Sequence, residues 1–287
     1  MATGTNIRTY FNGAWHDGNI AVMNAADHGA WVGSTVFDGA RYAHGVAPDL
    51  MAHCERVNRS ARALMLEPTH SAEEIFDLTW QGIGLYAPDT PLYIRPMYWG
   101  VDAERSAVVP KSDSVGFCIC LEEIPLAPPE ATVRLTTTQF RRPVLADNVT
   151  NAKAGCLYPN NARMLVEARS KGYDNALVAD AMGNVAETAT ANIFMVKGGV
   201  VHTPIANGTF LSGITRARHI TNLRGAGVEV CEDVLSFDDF RAADEVFMSG
   251  NMSKVTPVIE FDGTHYQVGP VTRQALQLYW DRAKSGT

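Results

Sequence analysis

The chain has 287 residues, a length that allows about two domains of ordinary size. Hydrophobic residues make up 46% and charged residues 19%, which excludes a disordered or fibrous protein. The net charge of −7 excludes a basic field that would hold nucleic acid or an anionic membrane. We find no signal peptide and no apolar stretch of transmembrane length. Five scattered cysteines without a CxxC pair predict a cytoplasmic protein with reduced thiols and no structural zinc.

The first half of the chain alternates between the patterns of short strands and helices. Asn12-Gly13 lies between two extended stretches, and this pair supplies the positive backbone angles of a tight hairpin turn. Asp49 precedes a stripe of apolar residues at helical spacing, which predicts a capped helix. The predicted elements are a hairpin over residues 8–20, a strand over 34–42, helices over 50–66 and 72–86, and strands over 92–99 and 115–123.

A cluster of three prolines within residues 125–129 predicts a linker between two domains. We therefore expect a small N-terminal α/β domain at residues 1–122, a linker at 123–130 and a large C-terminal domain at 131–287. The predicted elements of the second domain are strands over 133–140, 175–180, 191–197, 200–204, 228–234, 245–250 and 255–261, and helices over 159–171, 213–223 and 271–284. No GxGxxG motif follows a strand, which argues against a Rossmann fold.

Lys153 differs from an ordinary surface lysine, because no other charged residue lies within five positions of it. Ala152, Ala154 and Gly155 flank it, and such small neighbours favour burial of the side chain. Desolvation favours a neutral amine, the form that a Schiff-base nucleophile needs at neutral pH. The alternative is a lysine whose stem lies on apolar surface while its ammonium group reaches water.

Three further segments carry candidate groups for binding an anion or a heteroaromatic ring. LSGITR places Ile214-Thr215 at a helix start, where amides and the helix dipole favour a phosphate monoester; an ordinary capped helix is the alternative. Arg56 offers a bidentate donor to the same phosphate, or else a surface salt bridge. Glu187, in GNVAETATANIF, offers a carboxylate that would hold a proton on a ring nitrogen, or else it is a solvated loop acid.

In chain order, these motifs resemble those of the fold type IV pyridoxal-phosphate aminotransferases, most closely the branched-chain amino acid aminotransferases. The likeness extends over nearly the whole chain. Its motifs are STVFDGAR, HCERVNRSA, YIRP, NAKAG, GNVAETATANIF, LSGITR, and ADEVFMSG with VTPV. The resemblance implies an α+β fold of two domains, like that of D-amino acid aminotransferase, with pyridoxal 5'-phosphate between the domains.

The resemblance also implies roles for individual residues. Lys153 matches the catalytic lysine that bonds the cofactor aldehyde, Glu187 matches the acid at the pyridine nitrogen, and Tyr158 matches the group near the phenolic oxygen. The cofactor-binding positions are Arg56, Lys153, Tyr158, Glu187, Ile214, Thr215 and Asn251. The substrate-binding positions are Phe37, Tyr93, Arg95, Gly250 and Met252.

The activity that the resemblance implies is transfer of an amino group from a branched-chain or similar aliphatic amino acid to 2-oxoglutarate, in a ping-pong cycle. The partners are then a small-molecule amino donor and a 2-oxo acid acceptor, and the enzyme is a homodimer without metal, nucleic acid or membrane. The alternatives are an (R)-amine or D-amino acid transaminase of the same fold, an aminodeoxychorismate lyase, and a non-catalytic binding protein.

The sequence departs from the branched-chain pattern at several positions. Asn251 stands where a threonine is common in the phosphate loop, and the run after Glu187 reads Thr-Ala-Thr-Ala at 188–191. Val32 stands where an aromatic residue is frequent, and the segment 117–123 does not resemble its branched-chain counterpart. These departures leave the cofactor chemistry intact, but the amino donor and the enantiopreference stay open.

Overall fold

The structure, a computed structural model, describes residues 4–128 and 130–285, and these form two compact units. The first unit consists of the described residues up to Leu126 together with Asn151–Leu157. The second unit consists of Ala127–Thr150 and the described residues from Tyr158 onward. Pro129, one of the three prolines of the predicted linker, lies outside the described residues.

The placement of Lys153 differs from our expectation, because its segment belongs to the first unit and not to the C-terminal domain. The reason is backbone pairing. Phe37 N–H donates to the Lys153 carbonyl at 3.1 Å, and Val36 forms a β-bridge with Ala154. Residues 151–157 therefore pack with the first unit, although the chain on both sides of them belongs to the second unit.

The first unit is built on an antiparallel sheet of six strands over its described residues. The strands are β1 (Thr5–Phe11), β2 (Ala14–Asp17), β3 (Thr35–Phe37), β4 (Ala40–Tyr42), β5 (Leu92–Gly100) and β6 (Val115–Glu123). Their order is β2-β1-β6-β5-β3, with β4 also on β5. The predicted hairpin is confirmed, since Asn12 and Gly13 between β1 and β2 have φ values of 50° and 80°. The strand predicted over 34–42 is divided into β3 and β4, which pair with β5 in one register. Between them the Asp38 amide donates to the Pro96 carbonyl, but Pro96 has no N–H to donate back.

Three helices accompany this sheet: α1 (His28–Trp31), α2 (Leu50–Ala63) and α3 (Ala72–Ile83). The predicted apolar stripe of α2 is confirmed, since Cys54, Val57 and Ala61 are buried. The capping prediction is wrong in its detail, because Asp49 takes a left-handed backbone with φ 57° and its side chain makes no capping hydrogen bond. The left-handed backbone at Asp49 sets the start of α2, and the buried apolar stripe stabilises the helix.

The second unit contains a mixed sheet of nine strands over its described residues. The strands are β7 (Val133–Thr137), β8 (Asn175–Ala179), β9 (Val185–Thr188), β10 (Asn192–Lys197), β11 (Val200–Pro204), β12 (Val230–Asp233), β13 (Glu245–Gly250), β14 (Lys254–Phe261) and β15 (Thr264–His265). Their order is β12-β11-β10-β13-β14-β7-β8-β9, with β15 on β14. The central pairs β10–β13 and β13–β14 are antiparallel, whereas β14–β7, β7–β8 and β11–β12 are parallel.

Four helices pack on this sheet: α4 (Tyr158–Ser170), α5 (Ile214–Gly225), α6 (Phe237–Arg241) and α7 (Pro270–Ser285). One core layer lies between α5, α7 and the sheet, where Phe194 and Phe247 stack at 4.9 Å between ring centroids. A second layer, which includes Leu135, Leu177 and Phe240, covers the opposite face of the sheet. Because α5 is fixed in this way, its first turn has a defined position beside the sheet.

Candidate active site

Lys153 lies in a short connection whose backbone is held on both sides. Its amide donates to the Ser60 hydroxyl at 3.0 Å, and its carbonyl accepts from Phe37. The flanking Ala152 and Ala154 are buried, as the sequence predicted, while Lys153 itself is half-buried. Its amine lies 4.5 Å from the centroid of the Phe37 ring. The connection thus presents the amine at a fixed place beside an aromatic wall.

Arg56 binds a carboxylate that the sequence analysis did not single out. Its Nε and Nη2 donate to the two oxygens of Asp38 at 2.6 and 2.8 Å, and His53 Nδ1 lies 2.7 Å from Asp38 Oδ1. Burial raises the pKa of Asp38, but the charges of Arg56 and His53 and their hydrogen bonds outweigh burial and hold it well below its usual range. The pair is buried, so the surface salt bridge considered for Arg56 is wrong, and its role toward a phosphate stays a prediction.

Arg95 and Tyr93 lie side by side on β5. Arg95 forms an ion pair with the buried Glu122 on β6 at 2.5 Å, and its guanidinium lies 5.2 Å from the centroid of the Tyr93 ring. The Tyr93 hydroxyl also approaches the backbone at Gly39, where a Cβ would come within 2.3 Å of it. Carboxylate recognition by Arg95 stays a prediction, and it requires competition with Glu122.

Glu187 is buried on β9 and contacts two side chains of the second unit. Arg142 Nη2 lies 3.2 Å from Glu187 Oε1, and Asn192 Nδ2 donates to Glu187 Oε2 at 3.2 Å. A neighbouring guanidinium favours the ionised carboxylate. The structure therefore excludes the solvated loop acid and supplies an oriented, charged carboxylate, whose ring-nitrogen partner stays a prediction.

Arg142 is itself held by α4 and β9. Its Nη1 donates to Asn161 and its Nη2 to the Thr188 carbonyl, both at 2.6 Å. No sequence pattern pointed to Arg142, because Arg142 and Glu187 are distant in the chain and meet only in the folded second unit.

The start of α5 has an open N-terminus, as LSGITR predicts. Gly213 occupies the N-cap and offers no side chain to cap the first amides. Asn192 ties this start to the carboxylate: its Nδ2 also donates to the Leu211 carbonyl at 3.2 Å, and a Cβ on Gly213 would come within 2.1 Å of its Oδ1. Ile214 and Thr215 thus begin a helix whose entry loop is pinned beside Glu187.

The turn between β13 and β14 adjoins the same strands. Asn192 pairs with Ser249, and a Cβ on Gly250 would lie 3.3 Å from Ala191. Asn251 Oδ1 accepts from Lys254 Nζ at 2.6 Å. Within the described residues, Asn251 Nδ2 and Ser249 Oγ are buried without a hydrogen-bond partner, which is the condition of donors awaiting a ligand.

Two further predicted site residues are Tyr158 and Met252. Tyr158 begins α4 and is 38% exposed, while Met252 in the β13–β14 turn is half-buried. Their contacts with cofactor and substrate stay predictions.

The residues that the sequence analysis missed share one property, namely that each is buried against a partner distant in the chain. They are Asp38, Glu122, Arg142, Asn192 and Lys254.

The cysteines carry no disulfide within the described residues. Burial raises the pKa of Cys54 and Cys118 to about 12 and that of Cys120 to about 11. Cys156, three residues after Lys153, is exposed. His202, Cys231 and Asp233 bring ligand atoms within 4.8 Å of one another at the β11–β12 edge, a cluster that the sequence spacing did not reveal.

No helix in residues 4–128 and 130–285 combines the length and the apolar character needed to cross a membrane.

The family profile described as amino-transferase class IV matches residues 35–261 of the chain. The chain belongs to this family. The predicted resemblance and the α+β class IV aminotransferase fold are thereby confirmed.

Individual class IV relatives match almost the full length. The branched-chain-amino-acid aminotransferase of Escherichia coli strain K12 is 31% identical, over 94% of this chain and 91% of its own. An aminotransferase from Brucella abortus, solved with the cofactor PLP, is 54% identical with a TM-score of 0.96, over 97% of this chain and 99% of its own. The branched-chain aminotransferase of Thermoproteus uzoniensis, solved with norvaline, is 29% identical with a TM-score of 0.89, over 98% and 95%.

Proposed function

We propose that this aminotransferase uses pyridoxal 5'-phosphate to move the amino group of a branched-chain or similar aliphatic amino acid to 2-oxoglutarate. Family membership establishes the transaminase class, and pyridoxal phosphate is the cofactor of that class, as the sequence predicted. Relatives named branched-chain aminotransferases support the choice of donor. The observation that carries the proposal is the half-buried amine of Lys153, fixed through its backbone beside the ring of Phe37.

The residues present fit the chemistry of this cofactor. A phosphate dianion needs several donors, and the second unit offers the uncapped amides of Ile214 and Thr215 and the unpartnered Nδ2 of Asn251. A protonated ring nitrogen needs a carboxylate, and Glu187 is one. We propose that these groups hold the phosphate and the ring, that Arg56 supports the phosphate, and that Tyr158 faces the phenolic oxygen.

The protein contributes a base, an orienting charge and fixed positions. When bound, the cofactor supplies an electron sink for the pair of electrons left at the substrate α-carbon. Lys153, acting as a neutral amine, would take the proton from that carbon and deliver it to the aldehyde carbon of the cofactor in one half-reaction, and would move a proton in the opposite direction in the other, work that contributes about 10²–10⁴ in rate. Glu187, kept ionised by Arg142, holds the proton at the ring nitrogen.

For the substrate side, we propose that Phe37 and Tyr93 form walls for an aliphatic side chain. Gly250 and Met252, at the β13–β14 turn, would meet the substrate carboxylate with backbone groups. Arg95 would bind the distal carboxylate of 2-oxoglutarate by exchanging its Glu122 partner for the substrate, since a guanidinium binds carboxylates bidentately. Such an exchange explains how one pocket accepts both an apolar and an acidic side chain.

A panel of amino donors tests the proposal. With 2-oxoglutarate as acceptor, we expect turnover with L-leucine and L-valine and little with D-alanine or an (R)-arylalkylamine. Preference for the latter two would establish an (R)-selective transaminase, and pyruvate release from aminodeoxychorismate would establish a lyase. Failure of the purified protein to bind added pyridoxal phosphate would overturn the enzymatic proposal altogether.

We also propose that the enzyme works as a homodimer in the cytoplasm. The dimer follows from the resemblance. The compartment follows from the five cysteines, none of which forms a disulfide in the described residues, because oxidising compartments favour disulfide formation.

A further inference from the structure

Lys254 is a fully buried lysine at the start of β14, and the proposed mechanism does not use it. Its side chain is 0% exposed and is among the largest fully buried side chains of the chain. Burial of an ammonium group costs free energy unless hydrogen bonds and compensating charges or dipoles surround it. A cost of this kind calls for a function of the residue.

The backbone of Lys254 adds a second cost. Residues 251–253 connect β13 to β14, and Lys254, which pairs with Gly250, has a φ of 64°. A short hairpin loop of this kind ends in a left-handed residue, a position where glycine is the usual choice. A lysine there is strained, because its Cβ comes close to the following carbonyl oxygen. The side chain, and not the backbone, therefore explains why a lysine stands at this position.

The contact of Lys254 with Asn251 fixes the direction of an amide. Lys254 Nζ lies 2.6 Å from Asn251 Oδ1 and 5.1 Å from the centroid of the Tyr279 ring. An ammonium group has donors only, so the amide must turn its oxygen toward Lys254 and its Nδ2 away. Within the described residues that Nδ2 is buried and has no hydrogen-bond partner.

The turn is tied to α5 by two further contacts. His219 follows Thr215 by one turn of α5. Its Nε2 lies 3.1 Å from the carbonyl oxygen of Lys254. On the other side, Asn192 pairs with Ser249 and hydrogen-bonds to Leu211 ahead of the helix. The orientation of Asn251 is thus set within the same rigid frame that carries the uncapped α5 amides.

We propose that Lys254 is a positioning residue that locks the Asn251 amide with Nδ2 as a donor to the cofactor phosphate. This inference rests on the proposed function. Threonine, common at this position in the branched-chain family, presents a hydroxyl that rotates freely to donate, whereas an asparagine amide can face the site with either end. Lys254 removes that ambiguity and places a positive charge behind the amide.

Affinities of the apoenzyme for pyridoxal phosphate and for pyridoxal, which lacks the phosphate, test the inference. Lys254→Met should weaken pyridoxal phosphate binding by about tenfold, the effect of losing one charge-assisted hydrogen bond, and leave pyridoxal binding unchanged. Lys197→Met, at an exposed lysine on β10, is the matched control and should change neither affinity. An equal loss for both ligands in Lys254→Met, or no loss for either, would overturn the positioning role.

A double-mutant cycle separates positioning from general damage to the fold. In an Asn251→Thr background the hydroxyl needs no lysine, so adding Lys254→Met should cost less than about threefold in pyridoxal phosphate affinity. The same tenfold loss in both backgrounds would contradict the inference. If Lys254→Met does not fold, Asn251→Asp replaces it, because the carboxylate keeps the contact with Lys254 but turns an acceptor toward the phosphate. That variant should lose pyridoxal phosphate affinity selectively, and an unchanged ratio of the two affinities would refute the proposal.

Apoenzyme of the wild type that binds neither ligand would overturn the proposed function itself. If the wild type binds pyridoxal phosphate and the variants keep its ratio of affinities for pyridoxal phosphate and pyridoxal, only the role of Lys254 is overturned.

Discussion

At the scale of single residues, Lys153 shows how a short sequence pattern and its tertiary surroundings complement each other. The small neighbours predicted burial, and the structure adds the backbone bonds to Phe37 and Ser60 that fix the connection. Fixing a reacting group in this way lowers the entropy that it would otherwise lose on reaching the transition state.

Substitution of this lysine has a clear expected outcome. Lys153→Ala should abolish turnover, since in the proposed mechanism it removes both the covalent attachment of the cofactor and the base. Lys171→Ala is the control, because Lys171 is exposed and paired with Glu167 on the surface. Initial rates check the loss, and borohydride reduction followed by peptide mapping should find the pyridoxyl label on Lys153 of the wild type. A label on another lysine would show that the catalytic residue is misassigned.

Asp38 leads to a prediction about pH. Because the pKa of Asp38 is lowered in the folded protein, its ionised form stabilises the fold at pH values above its ordinary pKa of about 3.9. Asp38→Asn should therefore cost about 3–5 kcal/mol of unfolding free energy at pH 7, the cost of breaking a buried ion pair. The difference from the wild type should shrink as the pH falls below about 4, because the unfolded chain then binds a proton at Asp38 that the folded protein, with its lowered pKa, does not.

Urea unfolding at pH 7 and at successively lower pH measures this difference. Asp113→Asn, at an exposed carboxylate, is the control and should show no such dependence. A wild-type advantage over Asp38→Asn that grows on acidification would contradict the assigned ion pair.

Sequence alone could identify the residues of the site that occur in local motifs, but not their partners. Glu187 and Arg142, or Arg95 and Glu122, meet only because strands bring distant segments together. No local spacing encodes such pairs. The residues predicted for cofactor and substrate therefore came from motif resemblance, whereas the charges that tune them needed the structure.

At the scale of elements, the entry into α5 controls the geometry of the second unit's binding groups. Gly213→Ala should displace Asn192, because the new Cβ would lie 2.1 Å from Asn192 Oδ1. Asn192 would then lose its bonds to Glu187 and Leu211 together. We expect pyridoxal phosphate affinity to fall by at least about tenfold, the equivalent of one buried hydrogen bond lost.

Gly84→Ala provides the matched control for this change, since its Cβ would meet only backbone atoms at 3.4 Å or beyond and the backbone angle is ordinary. Titration of both apoenzyme variants with the cofactor, followed by absorbance, compares them. Comparable affinities in the two variants would show that the α5 entry does not position the phosphate donors.

Long amphipathic helices and strands next to strong turns could be predicted, as α2, α3 and the β1–β2 hairpin show. The short elements β9 and α6 were not predicted, because four or five residues carry too little periodicity. For α6 a signal did exist, namely the capping box of Ser236 and Asp239. The break between β3 and β4 lies opposite Pro96 of β5, which has no N–H to donate, and no local pattern around residue 38 contains that neighbour.

At the scale of the whole molecule, the two-domain composition was predictable from length and from the proline cluster, but the division of the chain was not. A linear boundary cannot describe a segment such as Asn151–Leu157 that returns to the first unit. A prediction from sequence assigns neighbouring residues to one domain. The β-bridge between Val36 and Ala154 instead places this segment in the first unit.

Association is the property of the whole molecule that the resemblance predicts most directly. Trp31 and Val108 are 60% and 70% exposed in the single chain, so both are accessible to a partner subunit. We expect light scattering of the purified protein to give twice the mass of one chain. Val108→Glu should shift the population toward the single-chain mass at low concentration, while a monomer already in the wild type would refute the homodimer.

The uneven accessibility of the thiols has a practical consequence. Cys54, Cys118 and Cys120 are buried and hold their protons tightly, so a maleimide dye finds Cys156 and, more slowly, the half-buried Cys231. After Cys231→Ser, a single fluorophore could be attached at Cys156, three positions from Lys153, the amine proposed to bind the cofactor. Its emission would follow loading and release of the cofactor in real time, without altering any group that does the chemistry.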